Sequence, residues 1–317
     1  MKIKNVIKVL NVFDITVIAF YIFLILLNII FYQRVSHTIS LLSIEIFVII
    51  FVIITALQHS RVNNSIWKNL HLWYVAPLIF ITFKQLYFMV HPIHPTDYDD
   101  LLIKIDRWLF GIDPTHFLQK YSHPLLTEIL QIVYTSFYLL PIIVGVEFVR
   151  NKKFTEFEFS AFLVVYGFFL SYLGYFSLPA VGPRFTLHDF FSIDKELPGL
   201  FLTPYLREFV NIGESIPYGT INPHFLVQRD VFPSGHTQMT LITMYCTIKF
   251  NTKTKRFIIP TGIFIIFSTV YLRYHYVIDL IAGTIFMIFT IWSGKKIYIN
   301  WNKFTGREIP KWFRGEV

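Results

Sequence analysis

Charge is scarce in this chain. Asp, Glu, Lys and Arg make up only 15% of its 317 residues, and 54% are hydrophobic, whereas a soluble domain carries about 25% charged residues. A soluble core of this size cannot hide that much apolar surface, so a soluble globular fold is excluded. Cysteine is nearly absent, and the lone Cys246 excludes an internal disulfide framework. There is also no internal repeat, no low-complexity tract and no polar stretch long enough for a separate soluble domain. The net charge of +8 would suit nucleic acid. The basic residues, however, lie between apolar stretches instead of clustering with stacking aromatics, so we expect no nucleic-acid partner.

Aromatic residues are abundant, at 19% with 35 Phe and 18 Tyr, which suits a bundle with an apolar lipid face and aromatic interfacial belts. About 17 to 20 apolar residues span a bilayer as a helix. Stretches of that kind lie near 14–32, 40–57, 73–90, 127–149, 160–178, 237–252, 256–273 and 275–293. Lys84 sits inside the third, and a basic loop shortens the sixth and seventh. The expected fold is all-α, a polytopic transmembrane bundle of about six to eight helices.

The first ten residues carry Lys2, Lys4 and Lys8, and the apolar stretch behind them runs to Phe31. That is too long for a cleavable signal and no small-residue cleavage site follows, so it reads as an uncleaved anchor. With eight spans and a cytoplasmic N-terminus, the cytoplasmic segments hold the larger share of Lys and Arg, among them Arg150, Lys152, Lys153, Lys253, Lys255, Arg256, Lys295, Lys296 and Arg314. The positive-inside rule favours that orientation. Residues 295–317, with Trp301 and Trp312 among basic side chains, read as a cytoplasmic tail at the headgroups. Residues 1–100 read as N-terminal transmembrane helices.

Two short polar motifs stand out in this apolar setting: Pro233-Ser234-Gly235-His236, and His275-Tyr276-Val277-Ile278-Asp279. Ionisable groups at membrane level are expensive unless they are paired or face a wet cavity, so they read as a functional site. In the orientation above, both motifs fall at the extracytoplasmic ends of their helices. At average usage Pro-Ser-Gly-His arises by chance in on the order of one such chain in a thousand. His-x-x-x-Asp alone is far commoner.

Each residue type has a chemical use. On a helix, His275 and Asp279 lie one turn apart on the same face. The carboxylate can then fix the imidazole tautomer and stabilise its charged form, leaving the other nitrogen as nucleophile. Ser234 can cap the following helix, Gly235 allows close backbone approach, and the free N–H groups of that helix start suit phosphate oxygens. His236, beside such an anion, can protonate a leaving oxygen. Two histidines with one carboxylate suffice for phosphoryl transfer through a phosphohistidine, so we expect neither metal nor cofactor.

Arg184, in Val181-Gly182-Pro183-Arg184-Phe185, carries a guanidinium fork suited to phosphate. The competing reading is an arginine snorkelling to the headgroups. Arg273 stands two residues before His275 and does not share its helix face, so it reads as interfacial unless the helix breaks there. His91, His94 and His188 match no metal-ligand spacing and read as surface histidines. Asp97, Asp99 and Asp100 read as a solvated loop rather than a cation site.

These motifs resemble those of the phosphatidic acid phosphatase type 2 superfamily, membrane-integral phosphatases and phosphotransferases. Its second motif is similar to Pro233–His236, and its third, ending His-x-x-x-Asp, is similar to His275 and Asp279. The likeness runs from about Asp106 to Gly283 and implies a vanadium haloperoxidase-like core over residues 101–294. It also implies that His275 is the nucleophile, Asp279 its orienting partner and His236 the acid; Arg184, Ser234 and Gly235 are substrate-ligand candidates on their own chemistry. The departures are informative. Phosphatases of the superfamily place Ser-Arg six to seven residues before the nucleophile, and here those positions are Ser268 and Thr269. Their first motif supplies a Lys seven residues before an Arg-Pro pair, but here the order is Pro183-Arg184 and the seventh residue back is Ser177. A phosphodiester carries one charge fewer than a dianionic monoester, so a site with fewer cations favours the diester. Ser268-Thr269, Tyr271-Leu272 and His275-Tyr276 are similar to the inositol phosphorylceramide synthase branch.

The resulting expectation is an enzyme that moves a phospho-headgroup from a phospholipid substrate to a lipid acceptor. The alternatives are a phosphatase of phosphatidic acid or polyprenyl diphosphate, and a non-catalytic lipid-binding protein with a degenerate site.

Overall fold

In a computed structural model, which describes residues 6–313, the chain is all-helical, and no strand occurs among the described residues. Lys2, Lys4 and Arg314, part of the expected basic ends, lie outside the described residues. Five helices are long and apolar enough to cross a membrane: Val12–Ile30, Thr38–Arg61, Val75–Ile93, Phe154–Ser177 and Val277–Thr305. A sixth span results if Pro124–Thr135 and Leu139–Arg150 count as one, bent by 53°. The chain is therefore an integral membrane protein. Of the eight expected spans, the stretches at 237–252 and 256–273 fold as the helices Gly235–Lys249 and Lys255–Tyr271, of 15 and 17 residues. At 1.5 Å per residue these fall short of the roughly 30 Å hydrocarbon layer.

The chain divides into two compact units. One joins the N-terminal stretch through Ile93 with Gly145–Phe169 and the stretch from Ile288. Within it, buried Asp14 accepts from the Tyr74 hydroxyl at 2.7 Å and meets His71 Nε2 at 2.8 Å, and the Asn28 amide donates to buried Glu45 at 2.6 Å. Such pairs satisfy polar groups that hydrocarbon would strand. The expected tail boundary at 294 falls inside the Val277–Thr305 helix. Beyond that, Trp301 donates to the Leu10 carbonyl and Arg307 to the Asn11 side chain, so this end packs on protein.

The second unit, His94–Val144 with Leu170–Met287, carries both motifs. The long segment 179–232 folds as short helices, Pro183–Thr186, Ile193–Glu196, Thr203–Gly213 and Pro223–Leu226, because each begins at or beside a proline or a polar cap that suits a first turn. Glu128 ties this layer down. Its carboxylate accepts from the amides of Leu200, Leu202 and Thr203 and from the Thr203 hydroxyl at 2.6 to 3.2 Å, satisfying the start of Thr203–Gly213.

A methyl group on Gly283 would lie 2.6 Å from the Ser234 carbonyl oxygen, while one on Gly213 would meet nothing. Overpacking costs ~1–3 kcal/mol and outweighs the ~1 kcal/mol gained in helix propensity. Gly283→Ala should therefore lower the unfolding temperature in detergent micelles, while Gly213→Ala should leave it unchanged or raise it. The reverse order would contradict this packing.

Candidate active site

Ser234 caps the Gly235–Lys249 helix as its residue type suggests, its Oγ accepting from the Thr237 amide at 3.2 Å. Gly235 allows a close approach by Tyr175, whose hydroxyl would lie 2.7 Å from an added Cβ. His236, one residue into the helix, stacks on Tyr134 with ring centroids 4.5 Å apart and packs against Phe137 at 4.3 Å. Both aromatics sit at the break between Pro124–Thr135 and Leu139–Arg150. There Thr135 Oγ1 bonds back to the Gln131 carbonyl and Ser136 Oγ to that of Val133, contacts that loosen the helix ladder and bend it.

His275 is not on a helix. Lys255–Tyr271 ends, Arg273 takes a left-handed φ of 68°, and the next helix starts at Val277. The expectation that His275 and Asp279 share a helix face therefore fails on its reason, although the two side chains still meet. Asp279 lies in the first turn, and its Oδ2 accepts from the Tyr276 amide at 2.8 Å. This brings the carboxylate to 3.4 Å from His275 Nδ1, longer than a hydrogen bond and of the kind that tightens when substrate binds. The Val231 carbonyl also accepts from this imidazole. His275 and Asp279 are buried, at 4% and 0% exposed. The His236 and His275 rings face each other edge to face with centroids 5.6 Å apart.

Arg184 is 3% exposed, which corrects the snorkelling alternative. Its Nη1 donates to Asn211 Oδ1 at 3.0 Å and its Nη2 pairs with Glu214. The guanidinium lies over the rings of Phe185 and Tyr274, 4.7 and 4.9 Å from their centroids. Its charge reaches the His275 imidazole, and its amide donates to the Arg273 carbonyl at 3.1 Å.

Arg273 departs most from the interfacial reading. The helix breaks before it, the side chain is fully buried, and its Nη1 pairs with Glu196, while Nε and Nη2 have no hydrogen-bond partner. The signal in the sequence was an arginine between two apolar runs too close to be joined by a long loop.

The acidic cluster is neither a solvated loop nor a cation site. Asp99 is 5% exposed and accepts from the amides of Val181 and Gly182 at 3.0 and 2.8 Å and from the Tyr276 hydroxyl at 2.7 Å. Asp97 holds Arg229 through both carboxylate oxygens, and Asp100 is exposed. Asp106 accepts from the amides of Val277 and Ile278, each at 2.8 Å, and so fixes the start of the helix that carries Asp279. His94 bonds the Phe176 carbonyl and Tyr98, and His188 bonds Thr115. Burial and the Arg273 charge push the His188 imidazole down to about 3, so it stays neutral. Among the described residues no cluster of His, Cys, Asp or Glu is arranged to hold a metal.

An all-helical unit here joins a capped Ser-Gly-His turn to a His–Asp pair. A family model described as the PAP2 superfamily matches residues 100–293, more than half the chain and all the motif residues above. The chain belongs to the PAP2 superfamily, and membership points to lipid phosphatase or phosphotransferase activity. Neither a curated protein nor a solved structure matches it.

Asp99→Ala removes the acceptor for two buried amides and one hydroxyl. At ~1–3 kcal/mol per orphaned group, partly relieved by relaxation, it should cost about 2–5 kcal/mol, while Tyr276→Phe should cost about 1 kcal/mol. Thermal unfolding of the two variants in micelles tests this ranking, and equal melting temperatures would contradict it.

Proposed function

We propose that this protein transfers a phospho-headgroup from a phosphodiester lipid to a lipid hydroxyl, in the manner of inositol phosphorylceramide synthases. The site lies on the extracytoplasmic face and both termini are cytoplasmic. The observation that supports this most is the meeting of the two imidazoles at 5.6 Å with Asp279 behind one of them. A phosphorus atom between two such rings is within reach of a nucleophile on one side and a proton donor on the other.

In the first half-reaction an imidazole nitrogen of His275 bonds to phosphorus. The bond from phosphorus to the glycerol oxygen breaks, and His236 as imidazolium protonates that oxygen. Asp279 holds the His275 ring and balances the charge that develops on it. In the second half-reaction neutral His236 takes the proton of the acceptor hydroxyl, whose oxygen attacks phosphorus and releases His275. Arg184, Ser234 and the amides at Gly235 and His236 would receive the phosphate oxygens in this reading.

Two features favour transfer of a diester headgroup over hydrolysis of a monoester. Arg184 already faces Glu214, which leaves little positive charge for a dianion. The acid–base residue His236 is enclosed by Tyr134 and Phe137, a surrounding that suits a lipid alcohol better than water. With six spans, the short segments 62–74 and 151–153 and the two ends hold more Lys and Arg than 31–37 and 94–123, which supports the orientation.

The test is product analysis with the full-length protein in phosphatidylinositol vesicles, with and without ceramide or diacylglycerol. We expect a phosphorylated acceptor and an acid-labile phosphoprotein. His275→Ala should abolish turnover by at least ~10³-fold and Asp279→Ala should lower it by ~10–10³-fold. Phosphate released mainly from phosphatidic acid, whatever acceptor is present, would favour a phosphatase. Undiminished rates in His275→Ala would end the proposal.

A further inference from the structure

The helix Thr203–Gly213 is amphipathic, and it sits inside out. Leu202, Tyr205, Phe209 and Ile212 follow one another at helical spacing and form an apolar stripe. Thr203, Arg207, Asn211 and Glu214 form a polar stripe on the opposite side. A helix at the surface of a water-soluble domain buries its apolar stripe and shows water its polar one. Here Leu202, Tyr205, Phe209 and Ile212 are 50%, 76%, 66% and 58% exposed, while Thr203 and Arg207 are buried.

Polar bonds fix which side faces in. The amide and the hydroxyl of Thr203 donate to Glu128, and Arg207 pairs with Asp194 and donates to the Leu197 carbonyl. Asn211 and Glu214 both receive the Arg184 guanidinium. Rolling the helix to hide its aromatic rings would break all of these at once and strand buried charge. The outward face of Tyr205 and Phe209 is thus a built feature of the fold.

The neighbouring helix says what covers that face. Thr203–Gly213 packs along Pro124–Thr135, the first arm of the bent membrane span. Thr203 meets Glu128 near one end, and Val210 packs against the cluster of Leu130 and Tyr134 further on. Pro124–Thr135 turns Leu125, Ile129 and Ile132 outward, as a helix in lipid must. The apolar surface of the span therefore passes directly onto the stripe of Thr203–Gly213. It continues beyond that helix to Tyr218, Ile221 and Phe225, which are also exposed. Tyrosine and phenylalanine beside aliphatic side chains are the composition of the layer where acyl chains meet headgroups.

We propose that Thr203–Gly213 is an interfacial helix whose partner is the lipid bilayer, with the stripe from Leu202 to Ile212 seated at the boundary between headgroups and acyl chains and the polar stripe against the protein. This placement holds whichever phosphate ester the site takes. It puts lipid on one side of the helix and Arg184 on the other, about 10 Å apart, the width of a single helix.

The test is fluorescence quenching of full-length protein in phosphatidylcholine vesicles, with bimane attached to Phe209→Cys or Tyr205→Cys. Ile129→Cys on the span serves as the lipid reference, and Lys195→Cys, exposed on a polar stretch of the same unit, as the water reference. Cys246 is buried, so wild type treated with the same reagent supplies the baseline. Phosphatidylcholine with a spin label high on its acyl chain should quench Phe209→Cys and Tyr205→Cys as it does Ile129→Cys, and more than a label near the chain end does, because an interfacial helix sinks only ~5–10 Å. Iodide should quench both several-fold less than it quenches Lys195→Cys. All four substitutions are at side chains that point out of the fold, and using two stripe positions guards against the loss of one variant. Iodide quenching equal to that of Lys195→Cys would overturn the bilayer contact. So would shielding from both quenchers together with oxidative cross-linking of Phe209→Cys between copies, which would make the covering partner a second chain.

Discussion

One backbone hydrogen bond organises this site. The Ser234 amide donates to the Asp279 carbonyl at 3.0 Å, which joins the start of one helix to the first turn of another. Two more such bonds, His275 to the Thr269 carbonyl and Arg184 to that of Arg273, fasten the remaining segments to the same point. Near hydrocarbon, where water cannot compete for the peptide groups, bonds of this kind are strong and their loss is costly. The candidate catalytic side chains occupy positions set by the backbone, and the carboxylates of Asp99 and Asp106 hold the flanking amides.

Charge in this unit is met by charge. Arg184 faces Glu214, Arg207 faces Asp194, Arg229 faces Asp97 and Arg273 faces Glu196. Burying an ion without a partner costs several kcal/mol, so the arginines bring their counter-ions with them. Under the proposed function the consequence is electrostatic selectivity: a ligand with two negative charges would have to displace or outbid existing pairs, while a singly charged diester would need to do so less. Arg273, with two guanidinium nitrogens unpartnered, is the side chain where this balance is least complete.

The helices and the two polar motifs were legible in the sequence because hydropathy and rare tetrapeptides are local signals. The spans at 14–32 and 40–57 appear as Val12–Ile30 and Thr38–Arg61, the first shifted toward the N-terminus and the second longer at both ends. What was not legible depends on separation along the chain. The partners of Asp99 stand at 181, 182 and 276, and no pattern around Asp97-Tyr98-Asp99-Asp100 announces them. His275 was misplaced onto a helix because the break at Arg273 follows from a backbone conformation, not from a proline or glycine. Tyr134 and Phe137 lay in an apolar run, and only Thr135-Ser136 between them hinted at the bend. The 37-residue stretch from Leu197 to Pro233 carried its meaning in tertiary contacts alone.

The carboxylate of Glu128 has an effect beyond holding a loop. Helices of this unit begin near the motifs at Thr203, Gly235 and Val277, and each helix start attracts anions through its free amides and its dipole; at Val277 the carboxylate of Asp106 already holds the first amides. At Thr203 that attraction is already satisfied by a built-in anion. Glu128 thereby acts as a decoy in reverse: it closes a competing landing place, and under the proposed function this leaves the turn beside His236 as the helix start open to a lipid phosphate.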